Sequence, residues 1–362
     1  MNNILSFIKE YGGLDFKSLP FNEVDSLVLS QLAYNDLKII RELDTNEVRV
    51  KDLGSKDLAE RMSSITWLPK MDCKLIKLMA ESNRYKDLVI SDFYEADDYF
   101  VDGQFTAFTT QISESIIALI YRGTDASFSG WAESLALSFD EEVNSQVSAK
   151  KYLEFIADKY DKKFIMAGHS KGGNLVVFAA STVDEKIQDR ILKIYNLDGP
   201  GFLPEFFQRK DYKSVEEKVV VYMPRRSVVG MLLDGLGVVH VIESKGIFID
   251  QHSPYNWIVK DGMFRELIHV DPISKITNHA INRWLKLVDR EERKEIINLL
   301  YEICYKTGAD DINDILSSKL NNFFKIKSTL SKMDEDEYNL LKKSLDELLK
   351  LIKEETFNSI KK

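Results

Sequence analysis

A glycine–x–serine–x–glycine motif lies near the middle of the chain, at Gly168-His-Ser-Lys-Gly172. A short apolar run, residues 164–167, precedes it, and an apolar-rich stretch, residues 175–180, follows it. This order predicts a strand, a sharp turn and a helix, the arrangement that exposes a serine hydroxyl for nucleophilic attack. Glycine suits both flanking positions because side chains there would clash with the crossing strand and helix. We therefore predict that Ser170 is a nucleophile.

A serine nucleophile needs a general base, and loops at strand ends are where catalytic histidines are carried. The chain has five histidines, at positions 169, 240, 252, 269 and 279. His252 lies in a turn after the strand candidate at residues 238–243, so we predict that it is the base. Alternatively, His252 is a surface residue that caps the turn before Pro254. His169 lies inside the motif, where its side chain would point away from the reacting face, and we expect it to be structural.

Two features are suited to stabilise a developing oxyanion. Lys171 follows the serine and begins the predicted helix, so its backbone N–H and the helix dipole face the reacting carbonyl. A second donor is expected on the loop after an earlier central strand. Residues 116–121 form such a strand and run directly into Arg122-Gly-Thr-Asp125, where Thr124 is the predicted donor. The same four residues are also typical of an ordinary strand-ending turn.

The elements that must position these residues fall into three regions. Residues 1–90 are predicted to form a mainly helical segment packed on the core, because apolar residues recur there at helical spacing. Residues 91–280 alternate strand candidates with helix-like segments, which predicts a three-layer α/β fold with a mostly parallel central sheet. Residues 281–362 lack proline and, after Gly308, glycine, which predicts a helical C-terminal appendage.

The C-terminal appendage has apolar residues at helical spacing behind Asp289-Arg-Glu-Glu292, which resembles a capping box. Such a face suits packing on the core, binding to a protein partner, or self-association through the C-terminal helices. Solvated helices that merely extend the domain are the alternative.

Composition and charge narrow the class of function. The 362 residues are 44% hydrophobic and 11% aromatic, enough for a sizeable core. The formal net charge of -9 argues against a nucleic-acid binder, because phosphate would be repelled. Cys73 and Cys304 are the only cysteines, which suits free thiols in a reducing compartment. The N-terminus lacks a signal-peptide pattern, and no apolar run approaches the ~20 residues of a transmembrane segment, so we expect a cytoplasmic protein.

Three motifs follow one another along the chain: Tyr121-Arg-Gly-Thr-Asp125, Gly130-Trp-Ala-Glu-Ser-Leu135 and Gly168-His-Ser-Lys-Gly-Gly173. Their order and spacing resemble those of the class 3 (fungal-type) lipases, a branch of the α/β-hydrolase superfamily. The chain looks closer still to the bacterial cytosolic lipase-like members of that group. The resemblance covers about residues 90–260 and implies an α/β-hydrolase fold for that part of the chain.

The resemblance also implies roles for individual residues. Ser170 is then the nucleophile and His252 the general base, while Thr124 and Lys171 are the oxyanion donors. Residues 125–145 stand where such lipases carry an amphipathic lid. A helix packed in the core is the alternative for that segment.

One position departs from the lipase pattern. Those lipases place the triad aspartate after the next strand, in an Asn-Asp-x-Val-Pro motif, whereas this chain has Ser227 there. A serine cannot supply the charge that stabilises an imidazolium. Asp198 is the predicted substitute, because it ends the preceding strand candidate, although it is also suited to order the Gly-Pro-Gly turn that follows. Asp234 is the fallback, and Asp250 is too close to His252 in sequence to orient it.

These residues predict a serine hydrolase that cleaves carboxylic esters through an acyl-enzyme on Ser170, without a metal or organic cofactor. The substrate is expected to be a small-molecule or lipid-like ester. A thioesterase or amidase would use the same site, and sequence does not separate these activities. The other class of function is a hydrolase fold retained as a binding or scaffold protein, which Ser227 and the long helical tail motivate.

Overall fold

The computed structural model describes most of the chain, and the fold below is that of the described residues. They are residues 2–42, 47–96, 104–124, 137, 142–227, 229–233, 237–246, 248–306 and 328–360. The chain divides into two compact units. The first consists of Met1–Gly123 and Asn144–Val270, and the second of Thr124–Val143 and Asp271–Lys362.

The first unit is built around a large β-sheet. The strands of the described residues are β1 (Glu47–Arg49), β2 (Val89–Ala96), β3 (Phe105–Ser113), β4 (Ile116–Tyr121), β5 (Lys163–His169), β6 (Ile191–Leu197), β7 (Val219–Pro224), β8 (Val238–Ile242), β9 (Val259–Lys260), β10 (Met263–Phe264) and β11 (Glu266–Leu267). Nine of these strands form one sheet in the order β1-β2-β3-β4-β5-β6-β7-β8-β11, and β9 pairs with β10.

The sheet is mixed, which corrects the mostly parallel sheet predicted from the sequence. The pairs from β4 through β8 are parallel to one another. The pairs from β1 through β4 are antiparallel, and so is the pair of β8 with β11. The length of the connection between two strands decides whether they can pair parallel or antiparallel. Only Glu114 and Ser115 separate β3 from β4, and so short a hairpin forces antiparallel pairing. Parallel strands need a long crossover, which the helix Asn144–Lys159 supplies between β4 and β5.

Helices accompany the sheet and also follow it. The α-helices of the described residues are α1 (Ile4–Tyr11), α2 (Glu23–Leu32), α3 (Ile39–Glu42), α4 (Lys56–Ser63), α5 (Pro69–Glu81), α6 (Asn144–Lys159), α7 (Lys171–Thr182), α8 (Glu185–Gln188), α9 (Lys210–Lys213), α10 (Pro272–Leu287), α11 (Arg290–Lys306) and α12 (Glu335–Ile360). Residues 1–90, predicted to be mainly helical, thus contain α1 to α5 together with β1 and the start of β2.

Two apolar clusters, one on each face of the sheet, give the first unit three layers. Along β4, Ala118 and Ile120 belong to one cluster, while Ile117 and Leu119 belong to the other, as expected because successive side chains of a strand point to opposite faces. Helices α1, α2, α4 and α5 contribute to the first cluster, and α6 and α7 to the second. Burial of both faces explains why β4 is an unbroken apolar run.

A buried ion pair anchors the N-terminal segment. The Arg84 guanidinium donates to both carboxylate oxygens of Asp25, at 2.6 and 2.5 Å, and both side chains are fully buried. The Tyr85 hydroxyl donates to the same carboxylate at 2.5 Å. Burial raises the pKa of this tyrosine, and the negative charge of Asp25 raises it further. Arg84 also donates to the carbonyl of Leu19 at 2.8 Å, which attaches the loop between α1 and α2. The charges are thereby paired and hydrogen-bonded, as buried charges must be.

Beyond Asp271, the described residues of the second unit lie mainly in helices. The Asp271 side chain accepts a hydrogen bond from the Ile273 N–H at 3.0 Å and so caps α10. Arg283 joins α10 to α12 through contacts of 3.0 Å with Glu354 and 2.7 Å with Glu355. Among the described helices of the chain, none has both the length and the apolar character needed to cross a membrane.

Replacing Arg84 by alanine is expected to lower the free energy of unfolding by about 3–5 kcal/mol, because Asp25 would be left as an unpaired buried charge. Lys51→Ala is the control, since it removes the surface pair between Lys51 and Asp87, whose side chains are 47% and 57% exposed. That change should cost less than about 1 kcal/mol. Urea unfolding measures both values, and equal losses in the two variants would contradict a stabilising role for the buried pair.

Candidate active site

Ser170 occupies the turn between a strand and a helix. Strand β5 ends at His169, and α7 begins at Lys171. Ser170 itself has φ 59° and ψ -134°, a conformation that is costly for a residue other than glycine. Its N–H donates to the Leu197 carbonyl at 3.0 Å, which ties the turn to the end of β6. The serine side chain is therefore held at the carboxyl edge of the parallel strands and stays partly exposed.

The glycines on either side of Ser170 are required by close approach of the backbone. A Cβ atom added to Gly168 would lie 2.2 Å from the carbonyl oxygen of Gly172. A Cβ atom added to Gly172 would lie 2.3 Å from the carbonyl oxygen of Tyr121, on the neighbouring strand β4. Both distances are far shorter than real contacts, so the helix can start this close to the sheet only with glycine at both positions.

His252 and Asp198 form a short hydrogen bond. The Nδ1 atom of His252 lies 2.6 Å from Oδ2 of Asp198, and the two side chains are 17% and 0% exposed. Asp198 directly follows β6 and has φ 56°, while its N–H donates to the Tyr222 carbonyl at 2.8 Å. His252 ends the short 3₁₀ helix Phe248–His252. The pair thus brings together two residues separated by 54 positions in the sequence.

Ser227 makes a contact that the sequence did not reveal. Its hydroxyl donates to Oδ1 of Asp198 at 2.5 Å, and the Gly230 N–H donates to the same oxygen at 3.2 Å. With His252 on Oδ2, the buried carboxylate has three hydrogen-bond donors. A serine at this position therefore helps to hold the aspartate of the neighbouring strand.

Asp234 and Asp250 are the other two acids weighed from the sequence. Asp234, the fallback, lies outside the described residues. Asp250 is exposed, and the described contact of its backbone carbonyl is with the Asn256 side chain at 2.7 Å. Of these candidates, Asp198 is the acid that the described structure joins to His252.

The predicted oxyanion loop lies against the serine. A Cβ atom added to Gly123 would be 3.0 Å from the Cβ atom of Ser170 and 2.4 Å from the carbonyl oxygen of His169. Thr124 follows Gly123 directly, and its side chain is half-buried. The Lys171 side chain is buried, and its Nζ atom donates to the Gln104 carbonyl at 2.8 Å.

The segment predicted as a lid lies mostly outside the described residues. Within residues 125–145, Leu137 is described and is buried. The stretch resumes at residue 142 and leads into α6.

His169 is buried behind the serine, as expected from its place in the motif, but it also contacts the predicted base. Its ring stacks on that of His252 with centroids 4.5 Å apart, and its Nε2 atom lies 2.9 Å from the His252 carbonyl oxygen. Its Nδ1 atom lies 3.0 Å from the Tyr34 hydroxyl. Burial lowers the pKa of His169 well below its ordinary value, and the electrostatic effect of the nearby His252 lowers it further.

A second buried cluster holds the loop after His252. The Tyr255 hydroxyl donates to Oδ1 of Asp72 at 2.5 Å, and this carboxylate also accepts from Gln31 and Thr66, both at 2.7 Å. The Asn3 side chain donates to the Tyr255 carbonyl at 2.8 Å. Burial raises the pKa of Asp72, against the effect of its three donors. Residues of the N-terminal segment thus fix the loop that carries His252, although no sequence motif marked them.

Removing the Tyr255 hydroxyl should weaken this loop. In Tyr255→Phe, Asp72 loses one of three donors inside the core, and we expect the free energy of unfolding to fall by about 1–3 kcal/mol. Tyr152→Phe is a matched control, because that buried tyrosine donates to the Asp92 carbonyl at 2.9 Å on the other side of the sheet. Protection of the 250–257 amides from hydrogen exchange should fall in Tyr255→Phe alone. Unchanged protection would contradict the role assigned to Asp72.

The lowered pKa of His169 predicts a pH dependence of stability. Below about pH 6.5 the unfolded chain takes up a proton at this histidine, whereas the folded chain keeps it neutral, so stability falls as pH falls. When the pH is lowered from 7 to 5.5, protonation of His169 in the unfolded chain should lower the free energy of unfolding of the wild type by about 1 kcal/mol. His169→Gln should not show this loss, because glutamine takes up no proton. His279→Gln, at a histidine whose side chain is 67% exposed, is the control. Urea unfolding at both pH values tests the difference, and an equal loss in wild type and His169→Gln would contradict it.

Comparisons with known proteins give the following similarities. No curated protein matches the chain in sequence. Among solved structures, the native Rhizomucor miehei lipase propeptide complex has 15% identity and a TM-score of 0.38, covering 60% of this chain and 66% of that chain. A deletion mutant of the same complex gives 16% identity and a TM-score of 0.38, and this chain spans 65% of that chain's length. M37 lipase has 15% identity and a TM-score of 0.37, covering 58% and 69% of the two chains.

A family model gives a broader match. It extends over residues 79–302, from the end of α5 through the sheet and into α11, which is more than half of the chain. The matched region includes Ser170, Asp198 and His252. The chain therefore belongs to the Mbeg1-like family, a lipase-like family.

Proposed function

We propose that this chain is a serine hydrolase with an α/β-hydrolase fold, which cleaves carboxylic esters through an acyl-enzyme on Ser170. The observation that carries the proposal is the 2.6 Å contact between His252 and Asp198, beside a strand–turn–helix that holds Ser170 with φ 59°. A serine nucleophile needs a base, and the base needs a group that fixes its tautomer and stabilises its charged form. Membership of a lipase-like family supports the same kind of reaction.

The first half of the reaction forms the acyl-enzyme. Because Nδ1 of His252 is engaged by Asp198, Nε2 is the nitrogen that takes the proton from the Ser170 hydroxyl. The serine oxygen attacks the ester carbonyl, and the backbone N–H groups of Lys171 and Thr124 stabilise the tetrahedral oxyanion. His252 then returns the proton to the departing alcohol, which leaves the acyl group on Ser170. Asp198 stays ionised throughout and stabilises the imidazolium.

The second half releases the acid. His252 takes a proton from water, the resulting hydroxide attacks the acyl carbonyl, and the same two N–H groups stabilise the second oxyanion. The proton returns to the Ser170 oxygen when the carboxylic acid leaves. The Ser227 hydroxyl and the Gly230 N–H support this cycle, because they hold the Asp198 carboxylate in place between the steps.

The substrate is proposed to be a small-molecule or lipid-like ester, and a thioester or amide would react by the same steps. A binding or scaffold function was motivated by Ser227 at the position of the expected acid. Ser227 does not favour that function here, because Asp198 supplies His252 with a carboxylate and accepts a hydrogen bond from the Ser227 hydroxyl. The cytoplasmic location stays a prediction from the sequence.

Turnover of short p-nitrophenyl esters tests the proposal. Ser170→Ala should abolish turnover, and Asp198→Asn should lower kcat by about 10⁴-fold, because the imidazole loses its orienting charge. Asp250→Asn is the control, since this exposed acid lies two residues before His252 and should change kcat by less than about threefold. Unchanged turnover in Ser170→Ala would overturn the nucleophile, and a wild type without turnover on any ester would favour a binding function.

A further inference from the structure

His169 is enclosed on several sides by residues of the site. Its ring, 3% exposed, stacks on the His252 ring with an interplanar angle of 30°. The rings of Tyr34 and Trp257 approach it edge-on, each with its centroid 5.9 Å away. The Tyr34 hydroxyl lies against the oxyanion loop, since a Cβ atom added to Gly123 would be 2.2 Å from it. His169 therefore contacts both the proposed base, His252, and Tyr34, which lies against the oxyanion loop.

The hydrogen bonds of His169 assign its tautomer. A carbonyl oxygen can only accept, so the Nε2 atom, 2.9 Å from the His252 carbonyl, must carry a proton. The Nδ1 atom then accepts from the Tyr34 hydroxyl at 3.0 Å in the neutral ring. The lowered pKa of His169 agrees with this neutral form. A positively charged ring stacked 4.5 Å from His252 would oppose the charge that His252 gains during catalysis.

We propose that His169, oriented by Tyr34, is a positioning residue that holds the general base His252 by its backbone carbonyl and by its ring face. This inference rests on the proposed function, because it concerns the base of that reaction. Asp198 fixes His252 at Nδ1, but one hydrogen bond leaves the imidazole free to tilt about that contact. The stacked ring of His169 and its bond to the His252 carbonyl restrict both the tilt and the main chain.

An apolar side chain would not replace this role. It would fill the space behind the serine but leave the partly buried carbonyl of His252 without its donor, which is costly. Glutamine retains the essential chemistry, because its amide N–H donates to the carbonyl, its amide oxygen accepts from Tyr34, and it never becomes charged. The two substitutions therefore separate positioning from space filling.

The experiment compares kcat and KM for His169→Leu and His169→Gln on a p-nitrophenyl ester. His169→Leu should lower kcat by about 10²-fold with KM changed less than about threefold, because the base is misplaced while substrate binding is retained. His169→Gln should recover most of the loss. Tyr34→Phe, which removes one hydroxyl and is expected to fold, should lower kcat by about tenfold. Tyr152→Phe is its matched control and should leave kcat unchanged.

A second readout does not depend on turnover. The proton between His252 Nδ1 and Asp198 should give a far-downfield resonance in proton NMR spectra of histidine-labelled protein. We expect this resonance in the wild type and in His169→Gln, and we expect it to be lost in His169→Leu. If that pattern holds in a protein without esterase activity, the positioning role stands and the proposed function fails. The opposite case is a wild type that turns over ester, with His169→Leu and Tyr34→Phe both equal to it in kcat and in this resonance. That result would overturn the positioning role and leave the proposed function standing.

Discussion

The hydrogen bond between Asp198 and His252 is the interaction on which the account of this site depends. It is 2.6 Å long, and its carboxylate is removed from solvent and held by the Ser227 hydroxyl and the Gly230 N–H. These donors fix the direction of the carboxylate, which is what an imidazole base requires of its partner. Without it, Ser170 would be a strained turn residue with no means of activation.

The layer behind the sheet has a role beyond packing. The N-terminal segment reaches the loops of the candidate site through Tyr34, which contacts His169, and through Asp72, which binds the hydroxyl of Tyr255. The buried pair of Arg84 and Asp25 in turn fixes that segment. Under the proposed function, stability and activity are therefore coupled, because the same helices that bury apolar surface also hold the proposed base. Loosening this layer would displace His252 without touching any reacting atom.

Part of this arrangement was predictable from the sequence. The glycines around Ser170 imply close backbone approach, and the apolar runs before and after them imply a strand and a helix, so the turn followed from local pattern. The partnership of Asp198 with Ser227 did not, because it joins two loops 29 residues apart whose approach depends on strand order. Tyr34 and Asp72 carried no signal in the sequence, because no motif marks a tyrosine just after a helix or an acidic residue within one. The antiparallel edge of the sheet depends on the two-residue connection before Ile116, and the apolar pattern of the strands does not define where that connection begins.

Asp198 and His252 are proposed to activate Ser170, and a fluorophosphonate probe tests this activation. Peptide mass mapping after brief exposure should find the phosphonyl group on Ser170 of the wild type, because the activated serine attacks phosphorus as it would a carbonyl. The second-order rate of labelling should fall by several orders of magnitude in Asp198→Asn. Labelling of another residue, no labelling, or an equal rate in Asp198→Asn would contradict the claim.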